Sequence, residues 1–345
     1  MLKYRYQSAM KDAPIIDPAH PLDLLRACPA YHPTPLFRVQ YEGRSMFIKD
    51  ETGRMGLGAF KALGGVYAVA RLIEKKMGHR IAPADFHASA VKEVAAGMTF
   101  VCASAGNHGL AVAAGARLFG ARARIHLAET VPESFAHRLR NKGAEVVRSG
   151  ADYEESVARA IVDAAENSYV HLADGSWEGY TEPPRLVMEG YTVLAEEMRA
   201  KFVASEVWPS HVYLQAGVGG LAAATAFMIR RTWKEQPRIV IVEPEAAPCL
   251  KASAEAGRLV TVEGPVSDMG RLDCKTPSML AFDLLRDIAD AWVTVTDEDA
   301  LKAVEVARAL GFSTTSSGAA GLAACLADNA PWPAVILSEV ATPES

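Results

Sequence analysis

Cysteine is scarce and scattered in this chain. The five cysteines, Cys28, Cys102, Cys249, Cys274 and Cys325, include no CxxC pair. Neither a disulfide framework nor a cysteine-based zinc site is suggested. The nine histidines form no HxxxH or HxH pair, which leaves metal binding without support. No apolar run approaches the roughly 20 residues that span a bilayer. The opening stretch MLKYRYQSAMKDAP lacks the apolar core of a signal peptide. Strong charge is missing too: a net charge of -5 gives no reason to expect nucleic acid as partner. No GK[ST] follows a glycine-rich loop, so no Walker A motif exists. These absences leave a cytoplasmic globular protein, acting on no membrane and no nucleic acid. At 345 residues it exceeds what one compact core usually holds, so two lobes with a cleft between them are expected.

What is present is an alternation of short apolar runs and amphipathic helical patterns. Met98–Ser104 reads as a buried strand, and Asn107–Phe119 as a helix stopped by Gly120. Ala123–Leu127 is a second strand, Pro132–Lys142 a helix, Glu145–Arg148 a third strand and Tyr153–Glu166 a third helix. This βαβαβα run predicts a parallel sheet with right-handed connections. The pattern returns with strands at His211–Gln215, Arg238–Val242 and Ala334–Ser338, and a helix at Leu221–Arg231. The polar, proline-containing stretch from Arg80 to Gly97 reads as an irregular insertion over one edge.

Three segments carry chemistry. In the first, a strand at Met46–Lys49 leads through Asp50-Glu51-Thr52-Gly53-Arg54 to a helix from Phe60 to Lys75. Lys61 opens that helix, where the positive helix end and desolvation both disfavour an ammonium. A lowered pKa would free its amine for Schiff-base chemistry. A lysine at a helix start is ordinarily just solvated. Gly64-Gly65 weakens that reading, because glycine inside an exposed helix costs about 1 kcal/mol each and implies close approach by something else. Asp50 reads as a brace for the loop. In the second segment, Ser104-Ala105-Gly106-Asn107-His108-Gly109 joins a strand to a helix N-terminus and suits an anion. Asn107 can donate to a ring oxygen or simply cap the helix; His108 reads as structural. In the third, Gln215-Ala216-Gly217-Val218-Gly219-Gly220-Leu221 again joins a strand to a helix, with glycines that let the backbone wrap a phosphate. A dinucleotide turn competes there, with Glu243 placed as a ribose-binding acid would be, although GVGGLA is not a complete GxGxxG.

Together these segments resemble the fold-type II pyridoxal 5'-phosphate (PLP) enzymes, the tryptophan synthase β-like superfamily. The resemblance starts at Pro33-Thr34-Pro35-Leu36 and runs through nearly the whole chain. It is most similar to the diaminopropionate ammonia-lyase branch at Gly58-Ala59-Phe60-Lys61 and at Trp177-Glu178-Gly179-Tyr180-Thr181. It implies an α/β fold of two doubly wound domains with PLP in the cleft between them. Residues 1–75 and 181–345 would form the larger, cofactor-binding domain, and residues 76–180 a smaller mobile one. It further implies that Lys61 holds the cofactor and then acts as base at Cα. Asn107 would contact the phenolic oxygen, Gly217, Val218, Gly219 and Gly220 the phosphate, and Ser338 the pyridine nitrogen. Ser104, Ala105, Gly106 and His108 would hold the substrate carboxylate, and Asp174 would stand near the substrate. A homodimer is implied as well.

Two departures bear on mechanism. The sequence after Ser338, EVATPES, lacks the usual glycine-rich continuation. Ser338 itself, a neutral hydroxyl, would not force a proton onto the ring nitrogen, which suits prompt loss of a β-substituent; it is also an ordinary residue for a strand end. And Ala105 stands where relatives carry an Asp that the resemblance assigns to proton removal from a D-substrate. A methyl group accepts no proton, so a one-base mechanism on the L-isomer is expected. Asp174 is a candidate to protonate the leaving group, or else a loop carboxylate bonded to nearby N–H groups. The expected activity is β-elimination from a small L-amino acid, 2,3-diaminopropionate or a β-substituted analogue, giving a 2-oxo acid and ammonia. A hydroxyamino-acid dehydratase, a β-replacement synthase of the cysteine synthase type and a non-catalytic nucleotide-binding protein are the competing readings.

Overall fold

A computed structural model describes residues 16–342; the stretch MLKYRYQSAMKDAP lies outside them. The strands fall into two sheets. The larger has six strands in the order β1-β2-β10-β7-β8-β9: Leu36–Tyr41 (β1), Arg44–Asp50 (β2), Pro333–Leu337 (β10), His211–Gln215 (β7), Arg238–Pro244 (β8) and Ala291–Val295 (β9). All its pairings are parallel except the β1–β2 hairpin at one edge. The smaller sheet is wholly parallel, β5-β4-β3-β6, from Thr99–Ala103 (β3), Arg122–Leu127 (β4), Glu145–Arg148 (β5) and Val170–His171 (β6). Every residue of β3 and of β10 is buried. Continuous apolar burial is what a strand needs when helices cover both faces of its sheet.

Gly64 and Gly65 serve helix packing. A Cβ on Gly64 would lie 2.7 Å from the Val187 carbonyl, and one on Gly190 would lie 2.7 Å from the Gly64 Cα. The Lys61–Met77 and Glu182–Ser205 helices therefore cross backbone to backbone. On the next face, a Cβ on Gly65 would meet the Ala111 methyl at 2.5 Å, which seats the Asn107–Phe119 helix. The "something else" that approaches is protein. Lys61 opens the helix that packs closely against both of these neighbours.

The stretch from Arg80 to Gly97 corrects an expectation. It contains a short 3-10 turn at Pro83–Asp85 and a helix at Ser89–Ala96. That helix buries Val91 and Ala95 and packs on the Lys61–Met77 and Asn107–Phe119 helices rather than over a sheet edge. One i, i+4 apolar pair is a thin stripe, and the polar residues around it mask it in the sequence.

A closed charge network braces the loop that carries Lys61. Lys49, Glu51, Arg54, Thr34 and Glu197 are all buried. The Lys49 ammonium donates to Glu197 (2.5 Å) and to the Thr34 carbonyl (2.7 Å). The Arg54 guanidinium donates to both oxygens of Glu51 (2.7 Å each) and both of Glu197 (2.8 and 2.7 Å). Thr34 and Tyr31 hydroxyls complete the carboxylates, at 2.5 Å to Glu51 and 2.8 Å to Glu197. Two cations and two anions are thus desolvated together, which is tolerable only because their hydrogen bonds are satisfied. Asp50, next in line, accepts from the Thr52 N–H (3.0 Å) and hydroxyl (2.6 Å).

Candidate active site

Lys61 is the first residue of its helix and half-buried. The Phe60 N–H before it donates to the Ser338 carbonyl at 3.1 Å, which ties the helix start to the end of β10. Its ammonium forms an ion pair with Asp174, three residues beyond β6. Burial pushes the lysine pKa down, but the Asp174 carboxylate outweighs it and the net direction is up. The expectation of a lowered pKa is therefore corrected: a partner in the other sheet's loops reverses the effect of desolvation. Burial likewise disfavours the Asp174 anion, yet the adjacent Lys61 holds it well below the usual carboxylate range. Asp174 is engaged by the lysine rather than held only by neighbouring backbone. The Tyr191 hydroxyl, buried beside Phe60, has no hydrogen-bond partner among the described residues.

The glycine turn follows β7 directly. Gly217 is covered by the Cys274 sulfur, 2.9 Å from where a Cβ would stand. Gly219 has φ 100°, a conformation that favours glycine, and opens the Gly220–Thr232 helix. Six consecutive N–H groups, Gly217 to Ala222, donate to no oxygen or nitrogen acceptor among the described residues; the first paired one is Ala223, to the Gly219 carbonyl. The Val218 N–H faces the Cys274 thiol, whose pKa burial pushes up to about 11. A run of convergent free N–H groups at a helix N-terminus is a ready anion cup.

The Ser104–Gly109 turn offers a second set. Asn107, His108 and Gly109 open a helix with N–H groups that meet no acceptor among the described residues, while the Gly106 N–H turns back to the Ser104 hydroxyl at 3.3 Å. Asn107 does not cap the helix with its side chain. Its amide donates to Glu339, which also accepts from the Thr315 hydroxyl (2.5 Å) and lies 2.9 Å from the Arg271 Nε. Burial raises the Glu339 pKa, with Arg271 working against it. Ala105 is half-buried and brings no charge. The His108 Nε2 lies 2.7 Å from the Leu172 carbonyl, its Nδ1 is buried without a partner, and burial lowers its pKa, so the ring is neutral. Ser338 is buried at the end of β10, and its carbonyl accepts the Phe60 N–H.

Glu339, Arg271, Tyr191 and Cys274 are members that sequence reasoning missed. Glu339 was visible only as part of an atypical continuation after Ser338. Tyr191 lies in an apolar helical run, where an aromatic ordinarily means core. One competing reading is removed. Glu243 accepts the Leu250 and Lys251 N–H groups, both at 2.7 Å, and so caps the Cys249–Ala256 helix instead of waiting for a ribose.

The family of pyridoxal-phosphate dependent enzymes matches residues 27–334 of this chain. The chain is 33% identical over 285 residues to the diaminopropionate ammonia-lyase of Escherichia coli (strain K12), covering 80% of this chain and 71% of that one. It is 28% identical over 301 residues to a probable D-serine dehydratase of Acidovorax sp. (strain JS42), covering 81% and 65%. The crystal structure of the Escherichia coli diaminopropionate ammonia-lyase with an aminoacrylate-PLP azomethine reaction intermediate superposes with a TM-score of 0.82 at 28% identity, over 94% of this chain and 88% of that one. The chain belongs to the pyridoxal-phosphate dependent enzymes of fold type II, its cofactor is pyridoxal 5'-phosphate, and it stands among their ammonia-lyases and dehydratases. The donor set fits that cofactor: an anion cup for the phosphate, a lysine for the aldehyde, and the unpartnered Tyr191 hydroxyl and His108 Nδ1. Among the described residues no helix is long and apolar enough to cross a membrane.

Proposed function

We propose that this enzyme catalyses β-elimination from a small L-amino acid, with 2,3-diaminopropionate as the reference substrate, releasing a 2-oxo acid and ammonia. The observation that carries the reading is the Lys61–Asp174 pair at a helix start, together with the free N–H groups of the Gly217–Ala222 turn. The bound cofactor supplies an aldehyde carbon for the amino group and a conjugated ring that takes up the electron pair left at Cα.

The chain's own residues do the rest. The N–H groups of Gly217–Gly220 hold the phosphate, Asn107 the phenolic oxygen and Ser338 the ring nitrogen. The Ser104–His108 turn, with Ala105 and Gly106, grips the substrate carboxylate and so turns the Cα hydrogen toward Lys61. The Lys61 amine accepts that proton and can pass it to the departing β-group; Asp174, ionised beside it, orients that group and steadies the lysine ammonium. The substrate loses hydrogen from Cα and its β-group from Cβ, and water then cleaves the enamine. From 2,3-diaminopropionate the products are pyruvate and two ammonia. With a methyl at Ala105, Lys61 is the one base at Cα, so L-isomers are turned over and D-isomers are not. Turnover of D-diaminopropionate equal to that of the L-form contradicts this.

A hydroxyamino-acid dehydratase is the second reading, favoured by the likeness to a probable D-serine dehydratase. It shares every cofactor contact and differs in the leaving group, so one hydroxyl in place of an amine decides between them. The reading also carries a cytoplasmic homodimer, with residues 76–180 moving as a smaller lobe over residues 1–75 and 181–345. The experiment is an absorbance spectrum before and after borohydride, for wild type and Lys61→Ala. Ammonia and 2-oxo acid are then assayed with L- and D-amino acids bearing β-amino, β-hydroxy or β-thiol groups. A colourless wild-type protein unchanged by borohydride ends the proposal.

A further inference from the structure

Asp174 is held from both sides by bonds that lead elsewhere. On one side the Ala173 N–H donates to the Tyr180 hydroxyl (3.0 Å), which donates to the His171 carbonyl (2.9 Å). Trp177 stacks on Tyr180 at 4.3 Å. On the other side, two residues on, stands Ser176, which is buried. Its N–H donates to the Ser278 hydroxyl at 3.0 Å, and the two hydroxyls are 2.7 Å apart. Its own hydroxyl accepts the Leu280 N–H at 2.8 Å, and its carbonyl the Met279 N–H at 3.0 Å.

These bonds do an unusual task. Met279–Ile288 is a helix preceded by Ser278, yet Ser278 does not cap it with its side chain. Ser176 supplies the cap from a distant segment, on the far side of the cleft in sequence. An N-cap bond stabilises its helix; here it also ties the Asp174 loop to the Met279–Ile288 helix. Ser278 reaches in a further direction: its N–H donates to the Val218 carbonyl at 3.0 Å, in the middle of the glycine turn.

We propose that Ser278 and Ser176 are positioning residues that couple occupancy of the glycine turn to the placement of Asp174. This rests on the reading that the Gly217–Ala222 cup takes the cofactor phosphate. An anion drawing the Val218 and Gly219 N–H groups inward fixes the orientation of the Val218 carbonyl. That carbonyl fixes Ser278, Ser278 fixes Ser176, and Asp174 lies two residues from Ser176 with Ala173 already clamped. The carboxylate, already paired with the lysine amine, is then held there more firmly when the cup is filled. Neither serine touches substrate or cofactor in this scheme.

The test reads hydrogen exchange of residues 173–180 in the full chain stripped of cofactor, with and without inorganic phosphate at a concentration shown to compete with cofactor rebinding. In wild type, phosphate slows exchange there about tenfold; in Ser278→Ala and in Ser176→Ala the slowing falls below about twofold. In the reloaded enzymes, with activity counted per bound cofactor, kcat falls about tenfold in both variants and KM changes less than about twofold. Wild-type exchange indifferent to phosphate overturns the proposal whatever the variants do, and so does slowing that survives in either variant. Because the exchange readout uses phosphate and no substrate, it stands or falls separately from the β-elimination reading.

Discussion

Lys49 and Lys61 lie twelve residues apart and enter two charge clusters of opposite character. Around Lys49 every carboxylate oxygen and guanidinium fork meets a partner, and almost nothing is exposed. Around Lys61 the ion pair with Asp174 is half-buried, and the Tyr191 hydroxyl and the His108 Nδ1, both close enough to feel its charge, have no partner among the described residues. On the proposed reading, depth of burial does not mark the reactive lysine, because Lys49 is the deeper of the two. An incomplete shell marks it, because only an incomplete shell leaves room for other groups to bond. The closed cluster holds the loop still so that the open one stays where it is.

Breaking each cluster should therefore fail in a different way. The largest effect is expected for Lys61→Ala, which should lower turnover by more than about 10³-fold while lowering thermal stability less than a break in the closed cluster does. Glu197→Ala should do the reverse. Removing one partner of a buried ion network costs about 3–5 kcal/mol, seen as a lower urea midpoint, while activity per folded, cofactor-loaded molecule falls far less than in Lys61→Ala. A Glu197→Ala enzyme of full stability would break the comparison.

Asp174→Asn should reduce kcat about 10²-fold or more and move the pH dependence. Asp174 raises the Lys61 pKa, so its neutral replacement should let the amine deprotonate at lower pH. Amine labelling of the stripped protein against pH checks the direction: the Lys61 midpoint shifts down in the variant. The pair itself supports folding between the two ordinary pKa values. Its contribution fades as pH falls through the depressed Asp174 value, or rises through the elevated Lys61 value.

Glu243 sharpens the contrast with a smaller effect. Its two N–H donors satisfy it, but no cation stands beside it in full contact, and burial raises its pKa to about 7. A raised carboxyl supports the fold fully below its ordinary pKa of about 4.5, and that support is lost as pH climbs through about 7. Glu243→Gln should remove that slope, worth on the order of 1–3 kcal/mol between those limits, when unfolding is followed against pH. Cofactor content should not change.

Much of this was legible in the sequence. Buried strands such as Thr99–Ala103 and the Tyr153–Glu166 helix stood out because apolar runs and glycine stops such as Gly120 and Gly143 are local signals. The three chemical turns were legible because glycine and asparagine before a helix have few other uses. Partners distant in the chain were not. Nothing near Lys61 announces Asp174 as its counter-ion, 113 residues on, so the local argument predicted the wrong direction for its pKa. Glu197, Glu339 and Ser278 were invisible for the same reason: a carboxylate or hydroxyl acquires its meaning from which elements the topology brings together. The Ser89–Ala96 helix was missed because its buried face is two residues wide.

The most direct test is to reduce the loaded enzyme with borohydride, digest it and locate the cofactor mass by peptide sequencing in a mass spectrometer. The cofactor should sit on Lys61 alone, with Lys49 unmodified in the same digest. Label on any other lysine, or on none, would contradict the claim that the open cluster is the reactive one.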